Sequence, residues 1–405
     1  SNFNLQKSPA SREPHNMEML HGVRTLLVDD SPAAREILSS MLESFGVAVS
    51  QVGSGDAAIA EISKALGDAP YRFVLMDYKM PGMNGIDFLC KEKTVDPDTV
   101  RMMLTGSADM PTAIRAVNEG NIFQFHPKPC PADILSQAIQ SAIQKYHKVV
   151  SHQQQLNNFK SSLEKASKVQ HELLPKSDPD FDGFDIAGRS IWCDETGGDY
   201  YDFLYPPTNG HQKISIVVGD VTDHGIPSAL LMTTARAFLR ERIQTSPSAC
   251  SAVISDVNKR LVQDVEQLNL FMTMFYCEID AQEKRIRWVK AGHEPAILWT
   301  PAAADSPELL AGKGLPLGIM EDADYIEYQK QISSGQIILI GTDGIKEAVN
   351  ESGEMFGTRR LLQVINDMAD QPAIKILDSV FESLDRFCSP LKNDDDATLV
   401  VIKVQ

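Results

Sequence analysis

Short apolar runs alternate with stretches of helical spacing in the first third of the chain. The pattern predicts strands at 23–28, 47–52 and 73–76, with helices at 32–45 and 55–66 between them. Short, apolar strands separated by helices are typical of a parallel sheet that helices cover on both faces. Ligands of such sheets bind beyond the carboxyl ends of the strands, where the strand order reverses. We therefore expect an α/β domain whose site lies at that edge.

Residues 131–174 contain almost no strand or turn signal, and apolar residues recur there in a heptad frame. The frame is occupied by Leu135, Ala138, Ala142, Val149, Leu156, Phe159, Leu163, Ala166 and Leu173. This spacing predicts one long helix with an imperfect coiled-coil seam, which Pro175 ends. An amphipathic helix packed on its own domains would show a similar pattern. Because the segment is long for one neighbour to cover, we expect a homodimer through this helix.

The remaining apolar runs indicate strands of antiparallel sheet. They lie at 271–279, 286–290 and 296–299, with helical stretches after Pro227 and Ala249. A chain of 405 residues is too long for one ordinary core, so two or three domains are expected. We divide it into a disordered tail at 1–20, an α/β domain at 21–146, a helical coiled-coil linker at 147–176 and a C-terminal domain at 177–405.

Charge and composition exclude several classes of protein. The net charge of −17 argues against binding to nucleic acid or to an anionic membrane. No apolar run is long enough to cross a bilayer, and the N-terminus lacks a signal pattern, so a cytoplasmic protein is expected. The six cysteines form no Cys-x-x-Cys pair, so disulfides and structural zinc are not expected.

Polar residues close the predicted strands of the first domain. Asp29 and Asp30 end the first strand, Asp77 ends the third, and Thr105 and Lys128 follow later apolar runs. Since the carboxyl ends of parallel strands share one edge, these side chains should meet there. Three carboxylates suit Mg²⁺, and a lysine can neutralise an incoming phosphoryl group. Asp77 would then be a nucleophile that forms an acyl phosphate.

These residues resemble the receiver domain of two-component response regulators, over roughly residues 22–146. The run Met80-Pro81-Gly82-Met83-Asn84-Gly85, just after Asp77, extends the likeness. The resemblance implies a flavodoxin-like fold and a sensor histidine kinase that phosphorylates Asp77. It also implies one Mg²⁺ ion, bound directly by Asp30 and Asp77, through water by Asp29, and by the backbone carbonyl of Lys79.

The same resemblance assigns a phosphorylation switch to this domain. Thr105 and Phe125 occupy the positions of the switch pair, and Lys128 occupies the position of the phosphoryl-binding lysine. On phosphorylation of Asp77, Thr105 would turn toward the phosphoryl oxygen and Phe125 would move inward behind it. The output of the protein would follow from that change in packing.

Four aspartate motifs lie in the second half of the chain, three of them beside apolar strand-like runs. They are Gly197-Gly198-Asp199, Gly219-Asp220-Val221, Thr342-Asp343-Gly344 and Asp394-Asp395-Asp396-Ala397-Thr398. Converging carboxylates repel one another unless cations lie between them. Oxygen ligands of this kind suit Mg²⁺ or Mn²⁺ better than zinc. The motifs therefore predict a two-metal hydrolase.

From Asp178 to the C-terminus the chain resembles metal-dependent serine/threonine phosphatases of the 2C class, in the SpoIIE and RsbU branch. The likeness starts at Glu195-Thr196-Gly197-Gly198-Asp199-Tyr200-Tyr201-Asp202. It continues through Gly219-Asp220-Val221-Thr222-Asp223-His224-Gly225, Ala291-Gly292-His293, Thr342-Asp343-Gly344 and Asp395-Asp396-Ala397-Thr398. The resemblance implies an α/β/β/α sandwich that hydrolyses phosphoserine or phosphothreonine on a protein. It further implies that the substrate protein is an anti-sigma-factor antagonist.

The resemblance also assigns the metal ligands. Asp220 would bridge two Mn²⁺ or Mg²⁺ ions. Asp199 and the backbone carbonyl of Val221 would serve one ion, and Asp343 and Asp395 the other. The ions would activate a water molecule for in-line attack on the phosphoester, so no covalent enzyme intermediate is implied.

Several residue assignments stay open at this stage. Asp396 competes with Asp395 as a ligand because the aspartates run together. Asp223 stands where many family members have glycine, so its carboxylate either adds to metal affinity or faces solvent. His224 and His293 lie close to the motifs, but histidine ligands are not typical of this branch, and a structural role is expected for both.

The expected function is a response regulator whose output is phosphatase activity. The alternative is a catalytically silent adaptor that binds a sigma factor or anti-sigma factor under receiver control. That alternative predicts eroded aspartates, whereas all four metal-binding positions are aspartate here. A transcription factor is not expected, because no helix-turn-helix candidate lies outside the two domains and the charge balance is unfavourable.

Overall fold

The computed structural model describes residues 22–65, 70–82, 88, 99–106, 123–207, 212–245, 249–265, 268–301 and 307–405. The chain divides into two units, one up to Phe159 and the other from Lys160. The tail predicted at 1–20 lies outside the described residues, as does the part of the motif after Asp77 from Met83 to Gly85.

The first unit contains a five-stranded parallel sheet in the order β2-β1-β3-β4-β5. Its strands are β1 (Arg24–Val28), β2 (Ala48–Val52), β3 (Phe73–Asp77), β4 (Val100–Thr105) and β5 (Gln124–Pro127). Two helices lie between the first three strands, namely α1 (Pro32–Ser44) and α2 (Gly55–Ala65). The strand order reverses between β1 and β3, which is the place where flavodoxin-like sheets bind their ligands. The flavodoxin-like prediction is confirmed.

Helix α1 shows how the local sequence sets an element. The Ser31 hydroxyl accepts a hydrogen bond from the Ala34 backbone N–H at 3.4 Å, and Pro32 occupies the first turn. Serine is a favoured N-cap, and proline fits the first turn because its missing N–H has no partner there. Leu38 and Leu42 then face the core. The helix therefore begins just after Asp29 and Asp30, and its start fixes the path of the backbone that carries these two residues beyond the end of β1.

The long helix α3 runs from Ala132 to Leu173. Its first turns bury Leu135, Ala138 and Ala142 in the core of the first unit, against β3 and β4. Further along, the frame residues Val149, Leu156 and Phe159 are largely exposed. The predicted long helix is thus present, and the start of its apolar frame packs on its own domain. Pairing of the later positions in a coiled coil stays a prediction.

The second unit contains two five-stranded sheets. The first has the order β13-β10-β9-β8-β7, with β7 (Tyr200–Leu204), β8 (Lys213–Val221), β9 (Met272–Asp280), β10 (Arg285–Ala291) and β13 (Tyr328–Gln331). The second has the order β12-β11-β14-β15-β6, with β6 (Phe184–Ile191), β11 (Ala296–Trp299), β12 (Glu308–Leu310), β14 (Ile337–Gly341) and β15 (Ala397–Val404). All the strand pairs within the two sheets are antiparallel.

Helices cover the outer faces of the two sheets. Helices α4 (Ile226–Thr245) and α5 (Cys250–Val265) pack on the first sheet. A short helix α6 (Asp343–Lys346) follows β14, and α7 (Gly357–Asp367) and α8 (Ala373–Cys388) cover the second sheet.

The layers follow from alternation along the central strands. Ile338 and Val400 face the core between the sheets, whereas Leu339 and Val401 face α7 and α8. Because both faces are covered, β14 and β15 are apolar along their whole length. The predicted α/β/β/α sandwich is confirmed. Among the residues described, no helix combines the length and apolar character needed to cross a membrane.

Candidate active site and phosphoacceptor site

The acidic residues of the first unit meet at the carboxyl edge of its sheet. Carboxylate oxygens of Asp29, Asp30 and Asp77 all lie within 4.8 Å of one another. The Lys128 ammonium lies 2.6 Å from Asp29 Oδ2 and 3.0 Å from Asp77 Oδ1. Burial lowers the pKa of Lys128, but its hydrogen bonds and ion pairs with the two aspartates outweigh burial and raise that pKa overall. The lysine is therefore held charged beside Asp77.

The predicted switch residues lie on the neighbouring strands. Thr105 ends β4 and is fully buried, and its hydroxyl donates to the Gly106 carbonyl at 3.2 Å. Phe125, on β5, is half-buried and packs on the core beneath the site. Lys79 is exposed two residues after Asp77. Thr105 and Phe125 are thus next to the phosphoacceptor edge, on strands that pair directly with each other.

In the second unit, both sheets deliver carboxylates to one end of the sandwich. Asp220 lies near the end of β8, and Asp199 immediately precedes β7 on the adjacent edge. From the other sheet, Asp343 begins α6 after β14, and Asp395 lies two residues before β15. The central strands are rigid, so these backbone positions are fixed, while the exposure of the side chains ranges from buried at Asp199 to exposed at Asp395.

Asp199 is the most deeply buried of these carboxylates. Its Oδ2 accepts a hydrogen bond from the Thr342 hydroxyl at 2.8 Å, while its Oδ1 is buried without a hydrogen-bond partner among the described residues. Burial first, and then repulsion from Asp220, raise the pKa of Asp199 well above the ordinary value for aspartate. A buried carboxylate oxygen with no donor is costly unless a cation binds it.

Asp220 is the carboxylate that interacts with all three others. Burial, together with repulsion from Asp343 and Asp395, raises the pKa of Asp220 to about 8. Asp220 also contributes to the raised pKa of Asp199. The pKa values of Asp343 and Asp395 are raised as well, by burial and then, for Asp343, by the charge of Asp395. This arrangement matches the bridging role that the resemblance implies for Asp220.

Asp395 and Asp396 have different environments. Asp396 is buried, and its Oδ1 accepts from the backbone N–H of Cys193 at 2.8 Å. Its Oδ2 accepts from Gly198 at 2.8 Å and from Asp199 at 3.3 Å. Asp395 is exposed. The backbone thus occupies both oxygens of Asp396, which favours Asp395 as the metal ligand.

A cavity of about 320 Å³ opens beside Asp220 and Asp343. Lys290 lines it and donates to the His293 carbonyl at 2.7 Å. His293 is buried, its Nδ1 lies 2.7 Å from the Thr273 hydroxyl, and burial lowers the pKa of its imidazole to about 3. His293 therefore has a structural hydrogen bond and is neutral at physiological pH. The cavity offers one cation, Lys290, next to two of the carboxylates.

The backbone conformation of the loop after β8 explains why glycine is common at the position of Asp223. Asp223 has φ of 62° and is exposed. Glycine adopts this left-handed conformation without strain, and aspartate tolerates it better than most residues. The glycine preference of the family at this position therefore has a backbone cause, and this carboxylate faces solvent. The next residue, His224, is exposed, and its Nδ1 lies 2.6 Å from Asp194 Oδ2.

One positioning residue escaped the sequence-based interpretation. The buried Gln170 side chain, near the end of α3, donates to the Gly197 carbonyl at 2.6 Å and accepts from the Gly197 N–H at 3.2 Å. A side chain at position 197 would collide with the Trp192 ring and with Asp396, so only glycine fits. Gln170 falls at a position of the heptad frame, between Ala166 and Leu173, where an apolar residue is expected. A polar residue at such a position was the sequence signal that could have pointed to its role.

Comparison with known proteins agrees with this geometry. The response regulator receiver domain matches residues 25–140, and Stage II sporulation protein E (SpoIIE) matches residues 210–405. The phosphoserine phosphatase RsbU of Bacillus subtilis is 30% identical over 246 residues, which cover 60% of this chain and 70% of RsbU. The phosphoserine phosphatase RsbP of the same organism is 26% identical over 251 residues, covering 61% of this chain and 59% of RsbP. This chain thus spans less than two thirds of RsbP.

A solved structure shows the same fold in the second unit. The SiaA-PP2C domain of Pseudomonas aeruginosa has a TM-score of 0.53 and 22% identity, and the match covers 62% of this chain and 98% of that domain. PP2C-type proteins use divalent metal ions, in keeping with the converging carboxylates. The chain therefore belongs to the SpoIIE and RsbU family of protein phosphatases and carries a response regulator receiver domain.

Proposed function

We propose that this protein is a phosphorylation-controlled response regulator whose output is metal-dependent hydrolysis of phosphoserine or phosphothreonine on a protein. The observation that carries this proposal is Asp220, whose carboxylate interacts with Asp199, Asp343 and Asp395 and has a pKa raised to about 8. Such repulsion is a poor arrangement for a binding surface and a good one for holding cations. The silent-adaptor alternative gives no reason for four converging acids.

The donor set fits two hard divalent ions. Asp220 would be shared, Asp199 and the Val221 carbonyl would hold one Mn²⁺ or Mg²⁺, and Asp343 and Asp395 the other. The unpartnered Oδ1 of Asp199 supports this fit. When bound, such ions polarise the phosphoryl group and lower the pKa of an attacking water.

The protein itself orients the reaction. Thr342 fixes the rotamer of Asp199 through its hydrogen bond. The Lys290 ammonium in the cavity attracts the dianionic phosphate of the substrate toward Asp220 and Asp343. RsbU and RsbP are phosphoserine phosphatases, which supports phosphoserine on a protein as the substrate class. The family resemblance further leads us to propose a phosphorylated anti-sigma-factor antagonist in a partner-switching pathway.

The receiver would set when this site is active. A sensor histidine kinase would transfer its phosphoryl group to Asp77, with Mg²⁺ held by Asp29, Asp30, Asp77 and the Lys79 carbonyl. Lys128, already paired with Asp77, would bind the new phosphoryl oxygens. Thr105 and Phe125 would then rearrange as the switch pair. The acidic cluster within 4.8 Å supports the Mg²⁺ assignment.

Two elements are suited to carry the signal to the phosphatase site. Helix α4 begins six residues after Asp220, and the Ser228 hydroxyl on it donates to the Thr222 carbonyl at 2.9 Å. The end of α3 holds Gly197 through Gln170, two residues before Asp199. We propose that movement of α4 would shift Asp220, and movement of the end of α3 would shift Asp199, into or out of the geometry needed to bind metal.

The direct test is Mn²⁺-dependent release of phosphate from a serine-phosphorylated antagonist protein. The full-length parent should be active, and Asp220→Ala should lose the activity. Asp223→Asn is the matched control, since it removes a neighbouring negative charge that faces solvent and keeps a residue that tolerates the left-handed backbone at this position, and it should stay close to the parent. If the parent shows no metal-dependent activity on this protein or on p-nitrophenyl phosphate, the adaptor function would be favoured instead.

A further inference from the structure

A cysteine, an aspartate and a histidine converge beside the acidic cluster of the second unit, and none of the three is among its proposed metal ligands. The Cys193 thiol, the Asp194 carboxylate and the His224 imidazole each place a ligand atom within 4.8 Å of the other two. Cys193 and Asp194 follow β6, whereas His224 follows β8, so thirty residues separate them along the chain. Because of this separation, the three residues do not form one of the short ligand spacings by which zinc sites are recognised in a sequence.

The backbone of this cluster is held in place from several sides. The Cys193 N–H donates to Asp396 at 2.8 Å, and the preceding Trp192 ring stacks on His171 with centroids 4.1 Å apart. His224 lies between two left-handed residues, Asp223 with φ of 62° and Gly225 with φ of 84°. The ligand positions are therefore set by backbone contacts, while the exposed side chains of Asp194 and His224 contact each other, with His224 Nδ1 2.6 Å from Asp194 Oδ2.

The combination of donors identifies the ligand. A thiolate and an imidazole favour Zn²⁺ over the hard ions that suit the neighbouring carboxylates. Zinc bonds of about 2.0–2.3 Å in a tetrahedron place the ligand atoms about 3.5 Å apart, so small rotations of the two exposed side chains close the cluster. One thiolate and one carboxylate balance the charge of the ion. From this geometry we infer that Cys193, Asp194 and His224 form a Zn²⁺-binding site with water in the fourth position.

Zinc binding at this site exchanges a proton for the metal. Burial and the nearby aspartates raise the pKa of the Cys193 thiol to about 12, so the free protein holds the thiol protonated. A bound cation reverses this preference, the sulfur–hydrogen bond is replaced by a sulfur–zinc bond, and the proton passes to the buffer. The ion then joins the loop that leads to Asp199 with the loop that follows Asp220.

The test uses Co²⁺ as a spectroscopic substitute for zinc in the full-length protein. Co²⁺ bound to a thiolate gives a sulfur-to-metal charge-transfer band in the near ultraviolet, whereas Co²⁺ on the aspartates gives none. In excess Mg²⁺, which occupies the carboxylate sites, we expect this band to saturate at one equivalent of Co²⁺ and to disappear when Zn²⁺ is added. Cys193→Ser should abolish it, and Cys130→Ser, at the other partly exposed cysteine among the described residues, should leave it intact.

Two further variants separate a metal site from a reactive thiol. Changing even a second-layer partner of a metal ligand costs about ten- to a hundredfold in affinity, so His224→Gln and Asp194→Asn should each weaken Co²⁺ binding at least about tenfold. Both residues are exposed, so the variants should fold, and their melting temperatures check this. The inference is overturned if no band appears, if the band survives Cys193→Ser, or if His224→Gln leaves the affinity unchanged. Because the band requires no turnover, the result is independent of the proposed phosphatase activity.

Discussion

Asp395 and Asp396 are adjacent in the sequence but have separate tasks. Asp396 accepts hydrogen bonds from the backbone N–H groups of Cys193, Gly198 and Asp199, and these bonds connect the loop after β6 to the start of β15. Asp395 is left exposed toward Asp220 and Asp343. One carboxylate is therefore held by backbone N–H groups, while its neighbour is exposed and is the proposed metal ligand.

This division predicts opposite effects for two isosteric substitutions. Asp395→Asn should lower Mn²⁺-dependent activity by about a hundredfold or more, because several kcal/mol of charge stabilisation is lost, and should leave stability unchanged. Asp396→Asn should instead destabilise the fold by roughly 1–3 kcal/mol, since an amide N–H₂ then faces a buried backbone N–H. Phosphatase kinetics and thermal unfolding of both variants provide the measurements. Loss of activity without destabilisation in Asp396→Asn would contradict the assignment.

The raised pKa of Asp220 predicts how metal-free stability depends on pH. Its carboxyl titrates near 8 when folded, against an ordinary value of 3.8. Between those values the folded state binds more protons than the unfolded chain. This contribution to stability is therefore complete below about pH 4 and is lost as the pH rises toward about 8.

The corresponding measurement is thermal unfolding without metal and with Mn²⁺. The melting temperature of the metal-free protein should fall from about pH 5 to about pH 8.5, and Mn²⁺ should raise it more at the higher pH, where protons no longer compete for the carboxylates. Each kcal/mol corresponds to about 2–4 °C for a domain of this size. Asp220→Asn is the control and should flatten both effects. A parent protein whose Mn²⁺ shift is larger at low pH would count against this explanation.

Sequence motifs identified the site residues individually but not their relations. The aspartates were recognised because each stands in a short motif at a strand end. The hydrogen bonds that distinguish Asp396 from Asp395 come from the N–H groups of Gly198 and Cys193, about two hundred residues away in the sequence. The hydrogen bonds between Gln170 and Gly197 likewise form only because the fold brings the two residues together, and no local sequence pattern predicts them.

At the scale of elements, helix α3 combines two environments in one continuous pattern. Its apolar frame reads as a single seam in the sequence, yet Leu135, Ala138 and Ala142 pack on the receiver sheet while Leu156 and Phe159 are exposed. Periodicity reports which face is apolar, not what covers it. The strands were better predicted, because buried runs such as 73–76 allow few alternatives and correspond closely to Phe73–Asp77.

The end of the same helix predicts a functional effect far from any metal ligand. Gln170→Leu leaves the two buried backbone groups of Gly197 without partners, at a cost of about 1–3 kcal/mol, and loosens Asp199. We expect a higher Mn²⁺ concentration for half-maximal phosphatase activity. Gln153→Leu is the control on the same helix, because Gln153 is exposed and, among the described residues, its side chain donates to Asn157 Oδ1 at 3.3 Å rather than to a backbone group of the site. Equal behaviour of the two variants would show that Gln170 does not support the site.

At the scale of the molecule, the exposed part of the apolar frame predicts dimerisation. Leu156 and Phe159 are 48% and 58% exposed, and together with Leu163 they keep the heptad spacing. The double variant Leu156→Lys with Phe159→Lys should sediment as a monomer at micromolar concentration, where the parent should be a dimer. Val169→Lys changes an equally exposed apolar residue outside the frame and should remain dimeric. A monomeric parent would leave the helix as a linker within one chain.

The proposed coupling between the two acidic sites would be a thermodynamic property of the whole chain, so it can be tested by measuring binding at either site. Beryllofluoride mimics a phosphoryl group on Asp77. If the receiver controls the phosphatase, beryllofluoride should change the Mn²⁺ affinity of the phosphatase site by about 5- to 150-fold, the usual range for allosteric coupling. Binding linkage is reciprocal, so saturating Mn²⁺ should change the beryllofluoride affinity by the same factor relative to Asp220→Ala, in which Mn²⁺ can act only at the receiver.

The reciprocal measurement distinguishes coupling from two independent domains on one chain. Asp77→Asn, which removes the acceptor carboxylate, should abolish both changes while leaving basal Mn²⁺-dependent activity in place. Gln170→Leu should reduce the coupling factor if the end of α3 carries the signal, whereas a path through α4 alone would leave that factor unchanged. Equal Mn²⁺ affinities with and without beryllofluoride would mean that Asp77 does not govern the metal centre, whatever the activity of the phosphatase itself.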